Sequence, residues 1–200
     1  MVERKRDTSK KRNEILDAAA DAFTQDGYDN ASMDKIADMA GASKRTVYNH
    51  FPSKEELFKN VQDQFITEIM ALKQIDYNPD ETLEKQLGEF ANAKLAISTN
   101  PSWLGLMKAA TGVYMTNPEF AKDAVERAED AEDTLVTWLE AAQADGRIKV
   151  DNSKLAAEAF WAMVAGAFFW PSIFFGPMKP KEAEAMKKEL IDLFLSKYGA

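Results

Sequence analysis

Lys44, Arg45, Thr46, Tyr48, Asn49 and His50 fall within seven consecutive residues, and every one can donate a hydrogen bond. None is acidic. Interleaved with them, Val47 and Phe51 are four apart, the spacing of one helical face. A short helix anchored by two apolar residues, with a donor-rich outer face, suits the major groove of double-stranded DNA. Lys54 lies in the first turn of the next predicted helix, where an ammonium and free backbone N–H groups together suit a phosphate.

The chemistry of catalysis is absent by contrast. His50 is the only histidine and there is no cysteine, so neither a catalytic histidine pair nor a thiolate metal site can be assembled. Carboxylates such as Glu126, Glu129, Asp130 and Asp133 recur at helical spacings typical of a solvated face. No glycine-rich phosphate loop is present. We therefore expect no enzyme, no metal and no cofactor. A second cluster suits binding: Trp103, Met107, Tyr114, Trp138, Trp161 and Phe168 concentrate aromatic and methionine surface in the later part of the chain. These types dominate ordinary cores, but they also build adaptable apolar pockets for a small apolar or amphipathic effector.

Short helices must position the first cluster. Met33, Ile36, Ala37 and Ala40 make one apolar stripe, Ser32 stands at its N-cap and Gly41 at its C-cap. Ser43 caps the next helix. Pro52 breaks it, and Ser53 to Glu56 fits a capping box for a fourth. Elsewhere 30 alanines outnumber 17 valines and isoleucines, and no stretch alternates with period two, so the expected class is all-α. Nine helices are predicted, at about 10–26, 33–40, 44–51, 54–74, 79–98, 101–115, 118–145, 153–172 and 180–197. Asn78-Pro79, Asn100-Pro101 and Asn117-Pro118 each read as a capping residue before a proline at N1.

The block Thr46-Val47-Tyr48-Asn49-His50-Phe51-Pro52-Ser53-Lys54-Glu55-Glu56-Leu57 resembles the recognition-helix signature of TetR/AcrR-family transcriptional regulators. Ile15-Leu16-Asp17-Ala18-Ala19, Phe23 and Gly27-Tyr28 resemble that family's first helix and the turn after it. The resemblance is specific over about residues 10 to 60. It implies an N-terminal three-helix helix-turn-helix domain at 1–54 and a C-terminal helical ligand-binding and dimerisation domain at 55–200. By this resemblance Tyr48 and His50 are backbone-phosphate contacts, and Lys44, Arg45 and Asn49 are base readers or their neighbours. The caps Ser32 and Ser43, Thr46 and Lys54 complete the DNA-facing set. The resemblance also implies a homodimer through the last two helices, with Ala162, Gly166, Phe169, Leu190 and Phe194 at the interface. The expected function is a ligand-responsive repressor released from its operator by the effector. The alternative is a helical carrier or enzyme with a vestigial head.

Charge is distributed to match. Residues 1–60 hold 11 basic and 11 acidic residues, so the whole net charge of −8 lies beyond them. Arg4, Lys5, Arg6, Lys10, Lys11 and Arg12 form a basic arm, and an acidic body would discourage docking in the wrong orientation. Nothing resembles a signal peptide, which leads to an expectation of a cytoplasmic protein. Ala159 to Met178 carries no charge and is long enough to span a bilayer. Its prolines and the nearby Lys154 and Glu158 favour a core helix, facing a ligand cavity on one side and a partner subunit on the other, and no membrane.

Overall fold

The computed structural model describes residues 8–70, 75–129 and 134–200, without the side chains of 65–70 and 124–129. Arg4, Lys5 and Arg6 of the basic arm, the last residues of the helix expected over 54–74, and the middle of that expected over 118–145 lie outside the described residues. Among the described residues the regular elements are all helices, joined by turns and short loops, with one isolated bridge between Ile148 and Gly199. The chain divides into two compact units, residues 1–68 with 101–128, and residues 69–100 with 129–200. The first spans the division expected at residue 54, and the second lies wholly beyond it.

The first unit holds α1 (Thr8–Asn30), α2 (Met33–Met39), α3 (Lys44–His50), α4 (Lys54–Met70), α6 (Pro101–Thr116) and α7 (Pro118–Glu129). α1 is broken at Gly27. Phe23, Phe58, Val47 and Phe51 are each 1% exposed or less. Phe23 and Phe58 meet edge to face at 4.8 Å, and Tyr28 joins Phe58 at 4.9 Å. α6 lies directly on α1: a Cβ at Gly105 would stand 2.2 Å from Thr24 Cγ2, so only glycine permits this approach.

The second unit holds α5 (Leu83–Thr99), α8 (Thr134–Ala144), α9 (Ser153–Val164), α10 (Trp170–Phe175) and α11 (Pro180–Tyr198). A π turn, Ala165–Phe169, joins α9 to α10. Leu87, Phe90, Leu135, Trp138, Phe160, Val164, Phe168, Ile191 and Phe194 form its core.

One expectation changes here. Asn78-Pro79 does not start a helix. The Asp80 N–H bonds to Asn78 Oδ1 at 3.0 Å in a local turn, and α5 begins after Thr82, whose hydroxyl caps Lys85 N–H at 3.2 Å. The Gln86 side chain holds that turn, accepting from Asn78 N–H and donating to Asn78 O, both at 2.8 Å. The uncharged helix buries one face within the subunit and exposes the other. Ala156, Ala157, Phe160 and Val164 are buried, but Leu155, Ala162, Gly166 and Trp170 on the opposite face are exposed. By length and composition Ser153–Phe175 remains able to cross a membrane.

Candidate nucleic-acid interface

The helix-turn-helix forms because each break is satisfied locally. Ser32 Oγ accepts from Lys35 N–H at 3.1 Å and starts α2. Gly41 follows with φ +55°, a left-handed conformation that an L side chain would strain, and ends it. Ser43 Oγ accepts from Thr46 N–H at 3.1 Å and starts α3, and the two hydroxyls meet at 2.8 Å. Val47 and Phe51 pin α3 inward. Ser53 Oγ then accepts from Glu56 N–H at 3.0 Å and starts α4.

This leaves Lys44, Arg45, Tyr48 and Asn49 exposed on one face of α3, with Thr46 and His50 half-buried at its edges. Tyr48 is 41% exposed, unusual for a phenol with a free choice of burial. Arg45 has no ion-pair partner among the described residues. Lys44 does have one, which the sequence did not signal. Its ammonium lies 2.8 Å from Asp34, a residue of α2, and this hydrogen bond holds the Lys44 pKa above the usual lysine range. The cation is therefore retained but partly neutralised, and Arg45 is the cation of α3 left open to a base edge. Ten residues and a turn separate Asp34 from Lys44, so no periodicity could have paired them.

Lys54 departs from its expected role. Its ammonium donates to the carbonyls of Tyr28, Asp29 and Ala31 at 2.9, 3.2 and 3.2 Å, and stands 4.5 Å from the centre of the Tyr28 ring. An ammonium has three donors, and all three are committed. Lys54 thus closes the C-terminal end of α1, whose last carbonyls lack helical partners, and is not presented to a phosphate. Arg12 acts similarly: its guanidinium bonds to Asn60 and lies 5.0 Å from the Phe51 ring centre, tying α1 to α4.

The six expected effector contacts do not gather within one unit. Trp103, Met107 and Tyr114 lie on α6 of the first unit, where Gln62 donates to the Tyr114 hydroxyl at 2.6 Å. Trp138, Trp161 and Phe168 lie in the second. There Trp138 is 1% exposed, donates to Gln86 Oε1 at 3.0 Å and meets Tyr77 and Phe90 edge to face. It and Phe168 are core residues in this conformation. An open cleft of about 340 Å³ in the first unit is polar instead, lined by Glu55, Lys59, Asn117, Glu119, Phe120, Lys122 and Asp123.

Of the expected interface residues, Ala162 and Gly166 are exposed, and Phe169 and Leu190 half-buried. Phe194 is not available to a partner. It is 2% exposed and packs on Phe160 at 5.3 Å and Tyr198 at 4.8 Å, because its face of α11 turns inward.

Comparison with known proteins settles the family. Residues 15–61 match the bacterial regulatory proteins of the tetR family, and residues 85–200 match the C-terminal domain of AefR-like transcriptional repressors. The chain belongs to the TetR family of transcriptional regulators. A TetR-family regulator from Pseudomonas syringae pv. tomato str. DC3000 is 33% identical, with a TM-score of 0.77 over 100% of this chain and 99% of that one. A second TetR-family structure, from Mesorhizobium loti MAFF303099, is 26% identical, with a TM-score of 0.79 over 97% and 99%. The HTH-type transcriptional regulator YhgD of Bacillus subtilis (strain 168) is 29% identical over 133 residues, covering 66% of each chain and so just under two thirds of YhgD. The TetR fold places α2 and α3 as the helix-turn-helix of a DNA-binding head, as expected from the capped short helices.

Proposed function

We propose that this TetR-family protein is a homodimeric repressor that leaves its operator when a small apolar or amphipathic effector binds residues 55–200. The observation that carries the reading is the outer face of α3, where Arg45, Tyr48 and Asn49 stand exposed above the buried Val47 and Phe51. Residues 1–54 supply this DNA-binding surface. A match to AefR-like repressors over residues 85–200 supports the sign of regulation. The same match favours a regulator over a carrier or enzyme with a vestigial head, because both halves of the chain resemble regulators.

The dimer is supported by the uncovered apolar face of the second unit. Leu155, Ala162, Gly166 and Trp170 recur along α9, the π turn and α10, and Leu193 on α11 is 53% exposed. A second copy is the occupant we assign to it, in place of a bilayer. Two short recognition helices then meet two half-sites about 34–36 Å apart. A DNA regulator of this bacterial family works in the cytoplasm.

The test is selection of bound duplexes from a random pool by the purified protein, followed by binding of the selected site. Enrichment of a two-fold symmetric sequence is expected. Arg45→Ala should flatten the preference at one position of each half-site, since a good bidentate base contact discriminates by about 1–3 kcal/mol. No enrichment, or an unchanged preference in Arg45→Ala, contradicts the assignment.

A further inference from the structure

Lys94 is a cation held over an aromatic ring, with no anion paired to it among the described residues. It lies on α5, half-buried, and its ammonium stands 5.8 Å from the centre of the Trp161 ring on α9. Trp161 meets Phe90 edge to face at 6.1 Å and Phe160 at 5.4 Å. Beyond Trp161 the helix enters the π turn Ala165–Phe169, against which α5 packs, and such turns recur at functional sites. Among the described residues no carboxylate pairs with Lys94. Its polar neighbours on α5 are already engaged: Asn92 accepts from Lys187 at 2.7 Å, and Ser98 donates to the Lys94 carbonyl at 3.0 Å. Desolvation alone lowers the Lys94 pKa from the ordinary lysine value.

A lysine ordinarily keeps its ammonium in water and buries only its stem. Here partial burial, with no counter-ion among the described residues, disfavours the charged form, and an anion beside the ammonium would offset that cost. We propose that Lys94 and Trp161 anchor the acidic group of the effector, an amphipathic monoanion with an aromatic or alkyl body and one carboxylate or sulfonate. The proposal rests on the reading of residues 55–200 as the effector-binding part. The ammonium supplies a charge-assisted hydrogen bond to the acid, and the half-buried Trp161 supplies apolar surface for the body. A ligand cation would be repelled by Lys94, and a neutral analogue would leave the buried charge uncompensated.

The test titrates the full chain with 2-naphthoate and with 2-naphthylmethanol, its neutral counterpart, and repeats this with decanoate and 1-decanol. Binding is read by calorimetry and by tryptophan fluorescence. Roughly tenfold preference for at least one anion over its alcohol is expected, about 1.4 kcal/mol. Lys94→Met should abolish that preference while leaving alcohol affinity unchanged, and Lys94→Arg should restore most of it. A purely structural lysine would shift both affinities together. The proposal is overturned if wild type binds each alcohol as tightly as its anion, if it binds neither pair, or if Lys94→Met keeps the preference. DNA binding is measured separately on the pool-selected site. Loss of DNA binding with the anion preference intact would remove the regulator reading and leave the anchor; the reverse result would remove the anchor alone.

Discussion

A lysine two residues beyond a proline break can serve DNA or serve the fold, and the residue type does not say which. Lys54 serves the fold. Two of the three carbonyls it caps belong to the end of α1 and the third to Ala31 just beyond it, where the Tyr28 ring meets Phe58 of α4 edge to face. Hydrogen bonds to a charged group contribute about 1.5–3 kcal/mol. Lys54→Met is therefore expected to destabilise the protein by about 1–3 kcal/mol in urea unfolding, while the slope of DNA affinity against salt concentration stays unchanged. A slope reduced by about one unit, with stability intact, would return Lys54 to a phosphate. Arg45 differs because no hydrogen bond or ion pair employs its guanidinium among the described residues.

Elements were legible in the sequence where a cap and a stripe agreed. Ser32, Ser43 and Ser53 cap the helices they were expected to cap, and Val47 and Phe51 are the inward residues of α3. Elements were misread where a tertiary partner overrode a local signal. Asn78-Pro79 has the composition of a helix start, but the Gln86 side chain takes its backbone groups for a turn. Phe194 has the composition of an interface residue, but its face of α11 is turned to Phe160. The pairing of Lys44 with Asp34 and the isolation of Lys94 are matters of tertiary placement that neither spacing nor propensity encodes. The exposed stripe of α9 and α10 invites a clean test of the dimer. A Cβ at Gly166 meets no atom within 4 Å, so a large side chain there fits the lone subunit. Gly166→Arg is expected to leave helicity intact, to halve the mass seen by light scattering at micromolar concentration, and to weaken operator binding sharply. An unchanged dimer would move the interface off this face, and a monomeric wild type would remove it.

At the scale of the whole molecule, charge and fluorescence separate the same way as function. Residues 1–60 are net neutral, with basic residues gathered in the arm and on α3, and the −8 lies beyond them. All four tryptophans, Trp103, Trp138, Trp161 and Trp170, also lie beyond residue 60, so none sits on the helix-turn-helix, although Trp103 on α6 shares the first unit with it. A ligand can release DNA only if it binds the DNA-incompetent conformation more tightly, and the coupling is reciprocal. A 100-fold loss of operator affinity needs about 2.7 kcal/mol of differential ligand binding. We expect an effector found in a panel of hydrophobic and amphipathic compounds to change tryptophan fluorescence over the concentrations that release operator DNA. Saturating operator should weaken that effector's affinity by the same factor by which the effector weakens DNA binding. Unequal factors at equilibrium would mean that the two readouts report different binding events. DNA release with unchanged fluorescence would place the effector away from all four tryptophans, and the aromatic residues around Trp161 would then be core alone.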